Sequence, residues 1–179
     1  MNDTNHDGVK GAQPQPQPEE EKQVLSERTM LIFIDADACP VREEVYKVAF
    51  RLEVPVWVVA NSYMRIPRHE LISMHVVDDH MDAADDYIAE RAHAMSVVVT
   101  ADIPLADRCL KAGAIVLGTT GKPFTQDMIG NALATRALMA DLRSGASGDN
   151  LGGPKAFAPA DRSRFLSALD EALNRLKRG

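Results

Sequence analysis

The stretch LIFIDADACPVREE, running from Leu31 to Glu44, decides how the chain is read. Four apolar residues lead straight into two aspartates one residue apart, and Cys39, Pro40 and a helical pattern follow. LIFID reads as a short buried strand. Pro40 suits the first turn of a helix, and VREEVYKVAFRLE then places Val41, Val45, Val48, Ala49 and Leu52 on one face. A carboxylate at the end of a buried strand is costly to withdraw from water unless a cation or hydrogen-bond donors meet it. Asp35 and Asp37 therefore raise a question of architecture and a question of ligand together.

Working outward, the same alternation repeats. VPVWVVAN is a second strand ending at Asn61, and SYMRIPRHE a loop or short helix. SMHVVDD is a third, weaker strand. MDAADDYIAERAHAM is helical, with Ala84, Ile88 and Ala92 on its apolar side and Tyr87 beside them. SVVVTAD is the fourth strand, IPLADRCLKAG a short helix closed by Gly113, and AIVLG the fifth strand. TQDMIGNALATRALMADLRSG reads as a long amphipathic helix and ASGDNLGGPKAFAP as a Gly-rich connection. The terminal helix starts near Asp161 and carries its bases late, where the helix dipole favours them. Short apolar runs alternating with helices imply crossover connections. The expected fold is α/β: three αβα layers around a mainly parallel sheet of four to five strands.

With 179 residues and 45% hydrophobic content, the chain has material for one domain with a real core. GAQPQPQPEEEK cannot bury enough apolar surface to offset ordering entropy. Residues 1–29 are thus expected to form a disordered tail, and residues 30–179 a single α/β domain. At a net charge of −6 no basic nucleic-acid clamp is visible in the bulk composition, but the tail carries part of that charge and leaves room for a small local basic face. Cys39 and Cys109 form neither a disulfide framework nor a zinc pattern, and they suit a reducing compartment. There is no apolar run of bilayer-spanning length and no signal-peptide core in the polar N-terminal stretch. The expectation is a soluble cytoplasmic protein that does not engage membranes.

Open parallel sheets bind ligands beyond the carboxyl ends of their strands. Here those ends carry Asp35 and Asp37, then Asn61, then Asp78, Asp79 and Asp82, then Thr100 and Asp102; Asp85 and Asp86 sit in a helical first turn. Any one of these serves equally well as a turn or helix cap. Together they converge on one edge, where like charges repel unless protons or a cation neutralise them. An oxygen-only set without cysteine or histidine at ligand spacing points to Mg²⁺ or Mn²⁺. Such an ion activates water and neutralises charge on a phosphodiester.

Other residues have ordinary structural roles open to them. Cys39 at a helix start is a packed or capping residue rather than a nucleophile. His69, His75, His80 and His93 lack metalloprotease spacing and read as surface or loop residues. Arg65 and Arg68 could touch phosphates, Asn61 could orient a water or close a turn, and Lys155 in GGPK could approach the site or remain an ordinary loop lysine. Trp57 and Phe50 read as core.

The motifs DADACPV, VAN, DAAD, VVTADIPLA, LATRALMADLR, GGPKAF and DRSRF resemble the YaiI/YqxD family of bacterial proteins, from about Met30 to near the C-terminus. That family is similar to the PIN-like superfamily, whose better-known members are metal-dependent nucleases. The resemblance implies a PIN-like fold, a divalent metal and a nucleic-acid substrate, RNA first. By it Asp35, Asp85 and Asp102 match the acidic positions that gather a metal, and Asp37 and Asp82 match acids of the family's own motifs. Met95 and Ser96 stand where the family usually has Gly-Asp before strand four, away from the expected site. Two other classes stay open. IFIDADAC also resembles the first motif of haloacid-dehalogenase-type phosphatases, with Asp35 as nucleophile and Asp37 as general acid, although Cys39 replaces the expected hydroxyl. The fold could also serve as a non-catalytic metal- or nucleic-acid-binding regulatory module.

Overall fold

The computed structural model describes residues 29–37, 39–78, 80, 82–143 and 157–179, with side chains described outside 136–143. The expected tail, apart from Thr29, and Lys155 with most of the Gly-rich connection lie outside the described residues.

Five strands form one parallel sheet: β1 Leu31–Asp35, β2 Val56–Ala60, β3 Ile72–Val76, β4 Ser96–Val99 and β5 Ile115–Leu117. The helices are α1 Arg42–Leu52, α2 Ala83–Arg91, α3 Ile103–Lys111, α4 Gln126–Arg143 and α5 Pro159–Arg178. The pairings between these strands are all parallel and helices pack on both faces, so the expected three-layer architecture holds.

The strand order is β3-β2-β1-β4-β5. The chain builds outward from β1 to β3, then crosses back to lay β4 on the other side of β1. The crevice between the carboxyl ends of β1 and β4 is therefore the point where the winding reverses, and ligands bind at such points in open α/β sheets. Register carries the strand ends into line: Asp35 pairs with Val59, and Ile34 with Val99.

Burial on both faces explains why β1, β2 and β4 read as continuous apolar runs. Ile32 and Ile34 face a layer made by α1 and α5, packed with Val45, Phe165, Leu169 and Leu173. Leu31 and Phe33 face the opposite layer, with Ile88 of α2, Leu105 and Cys109 of α3 and Ile129 of α4. Each such fully buried side chain contributes about 1.5–3 kcal/mol. Asp35 continues the Leu31–Phe33 face, so its side chain is presented towards α2 and α3.

Several local expectations shift. Pro40 and Val41 form a turn, and α1 begins only at Arg42. β3 starts and stops earlier than SMHVVDD suggests. His75 is no surface residue: it is buried in β3, its ring 4.3 Å from that of Trp57, and burial pushes its imidazole down to about 4. Trp57 is core as expected, whereas Phe50 is exposed. Gly113, at φ +87, follows the end of α3 as the sequence suggests. Gly121 carries a different constraint. At φ +82, a Cβ there would stand 2.8 Å from the backbone of Arg164 and Phe165, so only glycine lets the loop after β5 lie on α5. No helix among the described residues is long and apolar enough to cross a membrane.

Candidate functional site

The crevice at the winding reversal is organised by a hydroxyl. Thr100, just past β4 and buried, donates from Oγ1 to Asp35 Oδ2 at 2.7 Å. The same oxygen accepts the backbone N–H of Asp102 at 3.0 Å. One threonine thus ties the end of β1 to the start of α3. Asp102 caps that helix, its Oδ1 accepting the Leu105 N–H at 2.8 Å.

Asp85 comes from the third element, in the first turn of α2. Burial first, and then the charges of Asp102, Asp35 and Asp82, push its carboxyl up to about 6; Arg108 opposes them. Asp35 is also raised, chiefly by burial and further by Asp37 and Asp102, while the Thr100 hydroxyl pulls it down. These mutual effects mark Asp35, Asp85 and Asp102 as neighbours in one electrostatic cluster, with Asp37 and Asp82 at its border. Asp86 is held instead by Arg108 at 2.7 Å. Asp82 precedes α2 in a left-handed conformation, φ 68, and makes no side-chain cap. Asp37 is exposed on the turn after β1.

Among the described residues, no three His, Cys, Asp or Glu side chains stand where they could hold one ion together. The donor chemistry nonetheless suits a hard cation. Mg²⁺ keeps several waters and needs only one or two direct carboxylates, and raised carboxyls in an all-acid cluster are relieved by positive charge. Asp35, Asp85 and Asp102 are the residues that could supply such contacts, directly or through water.

The remaining sequence candidates lie around this centre. Asn61, past the end of β2, donates to the His80 carbonyl at 3.3 Å and so bridges the loops after β2 and β3. Arg65 is exposed on the loop between those strands. Cys39 is buried and its thiol is pushed up to about 11, burial being the main cause, which removes it as a nucleophile at neutral pH.

Sequence reasoning passed over two features. Thr100 was noted as a strand end, but its role in joining Asp35 to α3 was not. Glu44 was passed over although it lies on the buried stripe of α1, between Val41 and Val48; a charged residue on an apolar stripe is the signal that a partner comes from elsewhere. That partner is Arg162, 118 residues on, whose Nη1 lies 2.9 Å from Glu44 Oε1.

Comparison with known proteins identifies a family. The family described as "Uncharacterized BCR, YaiI/YqxD family" matches residues 33–175. A UPF0178 protein of Sphingopyxis alaskensis is 62% identical over 149 residues, covering 83% of this chain and 96% of the relative. UPF0178 proteins of Rhodopseudomonas palustris and Bradyrhizobium diazoefficiens are 57% and 58% identical over 147 residues, each covering 82% of this chain and respectively 92% and 87% of the relative. No solved structure matches the chain. The chain belongs to the YaiI/YqxD family.

Proposed function

We propose that the protein is a PIN-like hydrolase that cleaves phosphodiesters with a divalent cation, Mg²⁺ or Mn²⁺, and that RNA is its substrate. The reading is carried by one observation: Asp35, Asp85 and Asp102, drawn from three elements, repel one another at the crevice where the sheet's winding reverses. Repulsion of that kind costs stability, and a cation that bridges acids to a phosphate turns it to use. The cation supplies Lewis-acid polarisation of the phosphate and a water of lowered pKa. Asp35, Asp85 and Asp102 hold it between them, one or two directly and the rest through its waters, with Asp82 at the border of the set. Asp37 or Asp82 orients water in the outer shell. Asn61 and Arg65 contact the substrate backbone, and Lys155 joins them.

A net charge of −6 gives phosphates no overall attraction, so RNA affinity is modest and falls with salt. Free thiols at Cys39 and Cys109 fit a cytoplasmic setting.

The test is cleavage of a labelled single-stranded RNA by highly purified protein with Mn²⁺ or Mg²⁺. Asp35→Asn lowers turnover on the order of a thousandfold, with the melting temperature retained. Equal cleavage in EDTA, or by Asp35→Asn, removes the assignment. Cleavage of phosphomonoesters alone replaces it with the phosphatase reading. Metal binding without any cleavage replaces it with the binding-module reading.

A further inference from the structure

We propose that Arg162 is a positioning residue that latches the loop bearing Asp37 to the C-terminal helix. The loop between β1 and α1 leaves the sheet at Asp35 and reaches α1 through Asp37 and Pro40. Its start is held by the sheet, since the Ala36 N–H donates to the Val59 carbonyl at 2.9 Å. Its far end is held by Arg162. The same Nη1 that meets Glu44 also donates to the Pro40 carbonyl, at 3.1 Å. One nitrogen therefore grips the loop backbone and a buried acid of the helix that follows it.

The grip is built to be stiff. Glu44 is only 5% exposed, and its Oε2 has no hydrogen-bond partner among the described residues, so Arg162 supplies its charge compensation there. The guanidinium lies 5.1 Å from the centre of the Phe157 ring, which limits its swing. Arg162 itself stands in the first turn of α5. That turn is fixed by Asp161, whose Oδ2 accepts the Ala158 N–H at 2.8 Å and whose Oδ1 meets Arg164. Below it, Phe165 and Leu169 are sunk in the core against the β1 face. The last helix thus carries a rigid arm to the edge where the acids gather.

A plain ion pair would stabilise the whole fold evenly. A latch acts first on the loop it grips. The consequence for function rests on the cation reading above: a loosened loop lets Asp37 drift from the cluster and weakens the outer shell of any ion there.

The test compares Glu44→Gln/Arg162→Met with Arg162→Lys. The double variant removes every donor without stranding a buried charge; lysine keeps a cation that can still reach Glu44 and the Pro40 carbonyl. Amide hydrogen exchange is followed at the two ends of the loop, at Ala36 and Val45, whose N–H groups donate to the Val59 and Val41 carbonyls at 2.9 and 3.0 Å, with Ile34 and Val58 as core references. In the double variant, loop exchange rises about tenfold relative to the core references, and Mn²⁺ affinity by calorimetry falls about tenfold. In Arg162→Lys both stay within about threefold of the parent. Equal acceleration of loop and core, or exchange in Arg162→Lys as fast as in the double variant, overturns the latch. A parent protein that binds no Mn²⁺ counts against the proposed function alone, because the exchange comparison still decides the latch.

Discussion

Glu44 and Asp35 sit on consecutive elements, and both are withdrawn from water, yet the fold treats them in opposite ways. Glu44 is met by a guanidinium brought from the far end of the chain. Asp35 is met by a hydroxyl and by more acids. The first arrangement neutralises charge and fastens two helices. The second sets acids beside one another at the strand ends, tempered by the Thr100 hydroxyl at Asp35 and by Arg108 at Asp85. Where an acid serves the architecture the chain supplies the countercharge itself; under the function proposed above, the countercharge for the strand-end acids is a cation from solution.

That contrast can be broken at four points. The largest effect on stability belongs to the paired acid. Arg162→Met alone strands the Glu44 carboxylate and lowers unfolding free energy by about 2 kcal/mol, the half-exposed guanidinium keeping the loss below that of a fully buried pair. Adding Glu44→Gln restores most of it, as urea titration will show; no recovery means that Glu44 was not the source.

The hydroxyl comes next. Thr100→Val removes the donor to Asp35 and the acceptor of the Asp102 N–H, costing roughly 1.5 kcal/mol by the same titration. An unchanged midpoint would show that water replaces the hydroxyl without loss.

A smaller effect is expected from pH. Asp85 has its folded carboxyl raised to about 6 from an ordinary 3.8, so the folded state holds its proton longer than the unfolded chain. The stability it contributes is complete below about pH 4 and is lost as pH rises through about 6. The part-exposed site reduces this to about 1 kcal/mol. Asp85→Asn removes that contribution, read as the difference between the parent and variant pH profiles because Asp35 and His75 add slopes of their own, and Mn²⁺ shrinks the difference. A difference of the opposite sign, or none, would place the repulsion elsewhere. The smallest change is Asp102→Asn. Asparagine caps a helix about as well as aspartate, so metal-free stability moves by less than about 0.5 kcal/mol while Mn²⁺ affinity drops. Parent-like affinity in this variant would take Asp102 out of the site.

How far the sequence could be read follows the range of the interactions. Strands β1 and β4 were legible because burial on both faces demands unbroken apolar runs, and the acids at their ends follow from the parallel arrangement. Topology gathered the strand-end acids on one edge, and the family resemblance singled out Asp35, Asp85 and Asp102 among them. The Glu44–Arg162 pair was not legible, because nothing local links residues so far apart. His75 misled for a related reason: its burial depends on stacking with Trp57 of the neighbouring strand, a contact that exists only once the register is set. Pro40 misled by a small margin, since a proline before a helix and one inside its first turn leave the same local pattern.

The packing of α5 against β1 has a consequence for how the molecule comes into being. Ile32 and Ile34 are among the first core residues to be synthesised, and Phe165, Leu169 and Leu173, which share their layer, are made more than a hundred residues later. Until residues 159–178 are in place, one face of the first strand stays uncovered by its final neighbour, and closing so long a loop is slow. A nascent chain still short of that helix therefore carries an incompletely covered apolar strand, the kind of surface on which chains associate before they finish folding.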